Sequence, residues 1–396
     1  MKKHLLIVGG GFAGIKLARD LAHSDLYRIT LISDETNFRY YPTLYRSATG
    51  HSNLESCIPL DMLLADDPQI KFVQASVKSI DRSKKELTAK DRQVFKYDIC
   101  VLAIGVVTSY FGIPGLEKYS HNIKTFEGLR QLRRDLHEEF IDESRPDKNY
   151  VIVGAGATGV ELAAVLRSYL KKVARNHKAR SDKITLELVE AAPRILGRMS
   201  DRAAFLSQNR LKHLGVKIMT GSKVGGETHD KLMVNGRSLA THTVIWTAGV
   251  TNNPFFEANK SQFTFGPHGR VAVNAYMQVD DSLYVIGDNA ETKYSGLALT
   301  AVRDAAYLSK NLKRLANGRK PRVYKPKKTI VVLPEGESWA LVEWRGITFG
   351  GLLGALLRLA ADLKGYMDIM PWPTAVKIWF KGMESEENCP ICKSGL

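Results

Sequence analysis

His4-Leu5-Leu6-Ile7-Val8, running straight into Gly9-Gly10-Gly11-Phe12-Ala13-Gly14, is the stretch on which the fold of this chain turns. A short apolar run that ends in glycines reads as a buried parallel strand. The glycines follow a GxGxxG spacing, and a helical stretch continues from them to Leu21. A second strand, Arg28 to Ile32, is followed by an acid, Asp34 or Glu35. That order of strand, glycines, helix, strand and acid is the pattern of a dinucleotide-binding unit. Gly9 permits the tight turn, Gly11 lets a pyrophosphate approach the backbone, and Gly14 allows close packing of helix on strand. The helix start offers free N–H groups and partial positive charge to the phosphates. The acid would hydrogen-bond ribose hydroxyls. A tight turn without a ligand explains each glycine singly, but not the set together with its acid.

The same device recurs 145 residues on, Gly154 standing where Gly9 stood. Tyr150-Val151-Ile152-Val153 leads into Gly154-Ala155-Gly156-Ala157-Thr158-Gly159, a helix to Leu170, the strand Ile184 to Val189, and the acid Glu190. This is domain duplication rather than a short-period solenoid. Each half holds a second apolar strand ending in glycine, Asp98 to Gly105 and Thr243 to Gly249. Leu283-Tyr284-Val285-Ile286-Gly287-Asp288 reads as a strand returning to the first sheet. Two fingerprints predict two dinucleotides, and FAD with NADH is the simplest pair between which a chain passes hydride. In proteins that pair these two cofactors a strand ending in Gly-Asp returns to the flavin domain with its Asp on the ribityl chain. The resemblance of Gly287-Asp288 to that end supports FAD in the first unit; a helix N-cap is a compatible role for Asp288. The expected FAD set is therefore Gly9, Gly11, Gly14, Asp34, Glu35, Gly105, Gly287 and Asp288. The expected NADH set is Gly154, Gly156, Gly159, Glu190 and Gly249. Glu190 disfavours a 2′-phosphate and so favours NADH, while Arg194 beside it leaves NADPH as the alternative.

Length and composition agree with this reading. At 396 residues the chain holds two or three domains. With 44% hydrophobic and 25% charged residues it is neither collagenous nor disordered. No apolar stretch is long enough to span a bilayer; the nearest, Ile347 to Ala361, is interrupted by Arg358. The net charge of +16 points to an anionic partner or surface. Ten Lys/Arg face one acid, Asp304, between Arg303 and Lys328, and a second basic run covers Arg167 to Lys183. No nucleic-acid-binding motif accompanies the charge, so no nucleic acid is expected. Lys2-Lys3 before an apolar run resembles a signal peptide, but the glycines explain the run better, and the N-terminus is read as retained. Cys57 and Cys100 read as reduced, packed residues.

From these motifs the chain resembles the two-dinucleotide-binding-domain flavoproteins, and most of all the type II NADH dehydrogenases, single-subunit NADH:quinone oxidoreductases. The resemblance runs from residue 1 to about residue 382. It rests on Pro42-Thr43-Leu44-Tyr45-Arg46-Ser47-Ala48-Thr49-Gly50, Phe111-Gly112-Ile113-Pro114-Gly115, Gly156 to Leu162, Val189 to Leu196 and Trp246-Thr247-Ala248-Gly249-Val250. It implies that Glu161 lies near nicotinamide, flavin and quinone and manages protons. On the residues alone, Glu161 reads as an ordinary first-turn acid stabilised by the helix dipole. The resemblance also sets Lys377 near the quinone. One departure stands out: where the family carries an AQxAxQQ-like motif, this chain reads Ala298-Leu299-Thr300-Ala301-Val302-Arg303-Asp304, without the glutamines. Disulfide reductases and sulfide:quinone reductases need cysteines in places where Cys57 and Cys100 do not fall.

The expected architecture is α/β, two Rossmann-like dinucleotide-binding domains followed by a C-terminal amphipathic membrane-associating segment. The boundaries are 1–112 with 252–324 for FAD, 113–251 for NAD(H), and 325–396 for the acceptor side. Gly346 to Gly365 carries a wide apolar arc, with Arg358 and Asp362 paired at i,i+4 on the other side. Met370 to Phe380 mixes Trp, Phe and Lys as interfacial segments do. Docking on an anionic membrane surface from the cytoplasmic side, as a peripheral protein, is the expectation; the same leucines would serve a homodimer. Cys389-Pro390-Ile391-Cys392 is a lone CxxC, too few ligands for zinc, and no metal is expected. The expected activity is NADH oxidation through FAD with electrons passed to a membrane quinone, without proton pumping. Another acceptor (a soluble quinone, a ferredoxin-like protein or oxygen) is the alternative, and a flavin-binding sensor or scaffold is the alternative of a different class.

Overall fold

The N-terminal apolar run forms strand β1 (Lys3–Val8), and helix α1 (Phe12–Ala22) starts directly after the glycines. The computed structural model describes residues 2–141, 148–179 and 184–384. Strands β2 (Tyr27–Ser33), β3 (Ile70–Gln74) and β4 (Ile99–Leu102) complete the first half-sheet. The second unit repeats the plan with β5 (Lys148–Val153), helix α2 (Ala157–Asn176), β6 (Ile184–Val189), β7 (Lys217–Met219) and β8 (Thr243–Trp246). The chain then returns to the first sheet through β9 (Gln278–Asp280) and β10 (Leu283–Val285), followed by helix α3 (Ala298–Ala316).

The sheet orders are β9-β10-β4-β1-β2-β3 and β7-β6-β5-β8. Apart from the antiparallel β9 edge, all neighbours are parallel. In both halves the first strand lies between the second and the fourth, so the order reverses beside β1 and beside β5. A crevice at the carboxyl ends of the strands opens at such a reversal, which is where open α/β sheets bind ligands. Burial on both faces explains the unbroken apolar runs: Leu5, Leu6, Ile7, Tyr150, Val151 and Ile152 are all fully buried. Val106–Thr108 pairs antiparallel with Val250–Asn252, tying together the two passages between units.

The C-terminal segment differs from its sequence reading. Residues 347–351, expected to begin a helix, form β13 (Ile347–Gly351) of a three-stranded meander with β11 (Val331–Pro334) and β12 (Ala340–Trp344). The alternation of Ile347, Thr348 and Phe349 suits a strand edge better than a helix face. Helix α4 (Leu352–Met367) and helix α5 (Trp372–Gly382) follow. Leu333 and Leu341 enter the core of the second unit, while Tyr366, Ile369, Met370, Ala375 and Ile378 enter that of the first. The segment is therefore a brace across both units.

Helix α4 packs with its polar side inward. Arg358 and Asp362 are 8% and 2% exposed, whereas Leu352, Leu353 and Leu356 are 65%, 61% and 56% exposed. The i,i+4 pair, expected opposite the apolar arc, is thus the buried side of the helix.

Candidate active site

Both glycine cradles are built alike. Gly9 and Gly154 turn the chain at φ 118° and 103°, a region open to glycine. A Cβ on Gly14 or Gly159 would lie 1.9 Å from the carbonyl oxygen of Gly9 or Gly154, so both helices sit hard against their strands. Gly11 and Gly156 face open space with nothing within 4 Å of a Cβ. Both helix starts lack a side-chain cap. These open, uncapped N-termini fit the pyrophosphates of two dinucleotides.

The acids differ between units. Val8 pairs with Ile32 and Val153 with Val189, so one residue further Ser33 and Glu190 occupy equivalent places. Glu190 accepts from the N–H groups of Ala155 at 2.7 Å and Ala192 at 2.8 Å, which aims its carboxylate across the glycine turn. In the first unit the register puts Ser33, not Asp34 or Glu35, in that place. Asp34 and Glu35 lie beyond the strand end, exposed, and Glu35 pairs with Arg39. Sequence spacing brings an acid near; strand register decides which residue reaches the crevice.

Gly105, at the end of β4, is clamped by a residue that sequence reasoning missed. Asn289 accepts from the Gly105 N–H and donates to the Gly105 carbonyl, both at 2.7 Å, and also donates to Asn252. It is fully buried. The Gly-Asp-Asn sequence was the available signal. Asp288 accepts from the Gly296 N–H at 3.1 Å, and burial pushes its carboxyl up. Gly287 donates to Asp304 at 3.1 Å. Asp304 also accepts from the Tyr324 hydroxyl at 2.5 Å, and burial raises it to about 7. Of the residues at the glutamine positions, Asp304 therefore braces α3 against the Gly287 turn, Arg303 donates to the Lys327 carbonyl at 3.3 Å, and Leu299 is half-buried. Gly249 packs so closely that a Cβ would meet the Phe111 ring at 2.5 Å.

Glu161 lies on the fifth residue of α2, beyond the first turn. Its side chain is 12% exposed, and burial raises its carboxyl to about 8. The dipole-stabilised anion expected of a first-turn acid is overridden by desolvation. Arg358 of α4 approaches Glu161 at 3.6 Å and pairs with Asp362 at 2.9 Å. Arg358 also donates to the carbonyls of Val332 at 3.0 Å and Pro42. On the other side of Asp362, Arg46 stands 3.8 Å away and pairs with Glu55 at 3.1 Å. Tyr366 stacks on Tyr40, centroids 4.1 Å apart, and donates to the Glu55 carbonyl at 2.7 Å. The cation brought to Glu161 is thus Arg358; Lys377 is exposed on α5. Cys57 and Cys100 are buried, and burial pushes both thiols up. Cys389 and Cys392, and residues 180–183 of the second basic run, lie outside the described residues.

Residues 3–305 match the family described as pyridine nucleotide-disulphide oxidoreductase. The type II NADH:quinone oxidoreductase of Staphylococcus haemolyticus is 28% identical over 395 residues, covering 93% of this chain and 96% of that protein. The Staphylococcus epidermidis protein of the same name is 29% identical, covering 92% and 95%. Among solved structures, NDH2 from Plasmodium falciparum in complex with NADH superposes with a TM-score of 0.88 at 14% identity, over 98% of this chain and 99% of that one. The sulfide:quinone oxidoreductase of Aquifex aeolicus superposes with a TM-score of 0.79 at 20% identity, over 96% and 92%.

Proposed function

The chain belongs to the pyridine nucleotide-disulphide oxidoreductase family, and from that premise we propose that it is an FAD-dependent NADH:quinone oxidoreductase. The observation that carries the reading is the pair of glycine cradles, each open at a strand-order reversal, in a chain similar to type II NADH:quinone oxidoreductases over nearly its full length. Residues 1–112 with 252–324 form the proposed FAD domain and 113–251 the NADH domain.

In this reading Gly9, Gly11, Gly14, Gly105, Gly287 and Asp288 would hold FAD, which supplies a two-electron relay when bound. Gly154, Gly156, Gly159 and Glu190 hold NADH, the α2 N-terminus meeting its pyrophosphate and Glu190 its ribose. Asn289 fixes the Gly105 turn at the FAD crevice. The overall reaction converts NADH, one proton and quinone to NAD⁺ and quinol. The hydride brings one hydrogen, and Glu161 supplies the second proton to the acceptor side. No described helix is long and apolar enough to cross a membrane, and the proposed reaction includes no proton pumping.

Purified protein should be yellow and should oxidise NADH faster with menaquinone and ubiquinone analogues than with a ferredoxin or oxygen. A colourless protein that remains inert with NADH after FAD is supplied removes the reading. The second reading, a different acceptor, is favoured by Leu299, Arg303 and Asp304 at the glutamine positions. It is supported if quinones give no advantage over oxygen.

The acceptor side is proposed to rest on the cytoplasmic face of an anionic membrane. Supporting it are the outward leucines of α4, with Trp372 at 67% and Phe380 at 59% exposure on α5, and the basic stretch 303–328. Apolar area and positive charge act together at such an interface. A homodimer through the same leucines is the competing outcome.

A further inference from the structure

Five groups linked by ion pairs, Glu161 among them, do not balance. Arg46 and Arg358 supply two positive charges; Glu55, Asp362 and Glu161 supply three carboxyls. Geometry decides which carboxyl is the odd one. Asp362 lies 2.9 Å from the Arg358 Nε, and Glu55 lies 3.1 Å from Arg46, while Glu161 is left at 3.6 Å from Arg358. The Arg358 guanidinium is further committed to the Val332 and Pro42 carbonyls. A buried carboxyl without a cation of its own keeps its proton.

We propose that Asp362 of α4 is a positioning residue that engages Arg358 and so keeps Glu161 protonated as the proton donor of the acceptor half-reaction. This rests on the quinone-reductase reading above. Converting quinone to quinol takes two electrons and two protons, and the hydride of NADH carries both electrons with one hydrogen. Glu161 gives the remaining proton and is recharged from water.

The groups that face Glu161 are consistent with this role. From α4 come Arg358, which favours the anion, and Asp362, which opposes it; Glu335, after β11, opposes it too. Glu335 is itself raised to about 7 by burial, and it accepts from the Ser207 hydroxyl. Tyr45, from the short helix Leu44–Ser47, is pushed up by burial and stays neutral. Arg358 thus serves two carboxyls, with Asp362 the nearer of them. The exposed leucines of α4 lie on the same helix as this pair, so the element proposed to sit on the membrane also sets the proton donor.

The test is infrared titration of the FAD-loaded full chain, following the protonated-carboxyl band that disappears in E161Q. D362N removes an opposing anion and frees Arg358 for Glu161. Its midpoint should fall by about one pH unit, a tenfold loss of proton affinity. R358M removes the only cation facing Glu161 among the described residues and should move the midpoint up, while R358K should restore it. A merely structural role would give shifts of one sign, or none. FAD content and melting temperature report folding of each variant; if R358M does not accumulate, the nearly isosteric D362N decides alone. A D362N midpoint that stays in place or rises overturns the proposal. The titration needs no turnover, so it is separate from the main reading, which fails if wild-type protein is not reduced by NADH.

Discussion

Single atoms separate residues that look alike in the sequence. Gly156 and Gly159 belong to one motif, yet a Cβ meets open space at the first and a carbonyl oxygen at 1.9 Å at the second. Gly156→Ala should fold and bind FAD normally while raising the KM for NADH about tenfold, roughly 1.4 kcal/mol of lost binding. Gly159→Ala should destabilise the second unit, read as a lower melting temperature. Glu161 shows the same local dependence. Its carboxyl is raised to about 8, so the proton-bearing form prevails below that pH and is lost above it. Quinone-dependent turnover should fall as pH rises through about 8, and Glu161→Gln should lower turnover and abolish that limb. A wild-type profile flat from pH 6 to 10 would remove Glu161 as donor. Asp34 and Glu35 against Ser33 make the converse point. Spacing from the glycines locates the strand end, but the hydrogen-bonded register alone says which side chain stands opposite Gly9.

Helix α4 has the composition of an amphipathic helix and the orientation of an inverted one. Periodicity shows where the two faces lie without saying which is buried. Arg358 and Asp362 at i,i+4 read in sequence as an ion pair opposite the apolar arc, with no sign of which face is buried. Here the partners for a buried pair come from distant parts of the chain: Pro42, Arg46, Glu161 and Val332. Leucines left in water forgo about 1.5–3 kcal/mol each relative to burial, so an apolar phase or partner has something to gain on this face. The double variant Leu353→Glu/Leu356→Glu should fold, since both residues are more than half exposed, and should no longer float with anionic liposomes. Wild-type flotation should weaken with added salt. Substitutions are the appropriate probe because truncation at Lys325 would remove Leu333, Leu341, Tyr366 and Ile378 from the cores. Unchanged flotation, or a stable dimer that the double variant breaks, would move these leucines to a subunit interface.

Across the whole molecule, buried carboxyls give stability a recognisable pH dependence. Glu161 and Glu227 are raised to about 8, and Glu335 and Asp304 to about 7, each first of all by burial. Unfolding returns them to ordinary carboxyl behaviour near 4. Between about pH 5 and 8 the native state then holds more protons than the unfolded chain, and stability falls as pH rises. Thermal melts should show a decline from pH 5 to 8, and Glu227→Gln, away from the proposed site, should flatten part of it. A melting temperature rising over that interval would contradict the burial of these groups. Acting oppositely, the lowered carboxyls of Asp280 and Glu343 add stability that is lost only as pH falls below about 4. The sequence alone determined the duplicated strand–glycine–helix plan and the two cradles, because these depend on contacts between residues close in the chain. A turn that needs Gly9, or a helix start that must stay open at Gly11, is written where it occurs. Only the tertiary structure decided that Ser33 faces the first cradle, that Asn289 locks Gly105, that Asp304 turns inward, and that Arg358 stands beside Glu161. Each depends on strand register or on burial between segments far apart in sequence, and the field around a carboxyl is set by whatever the fold packs against it.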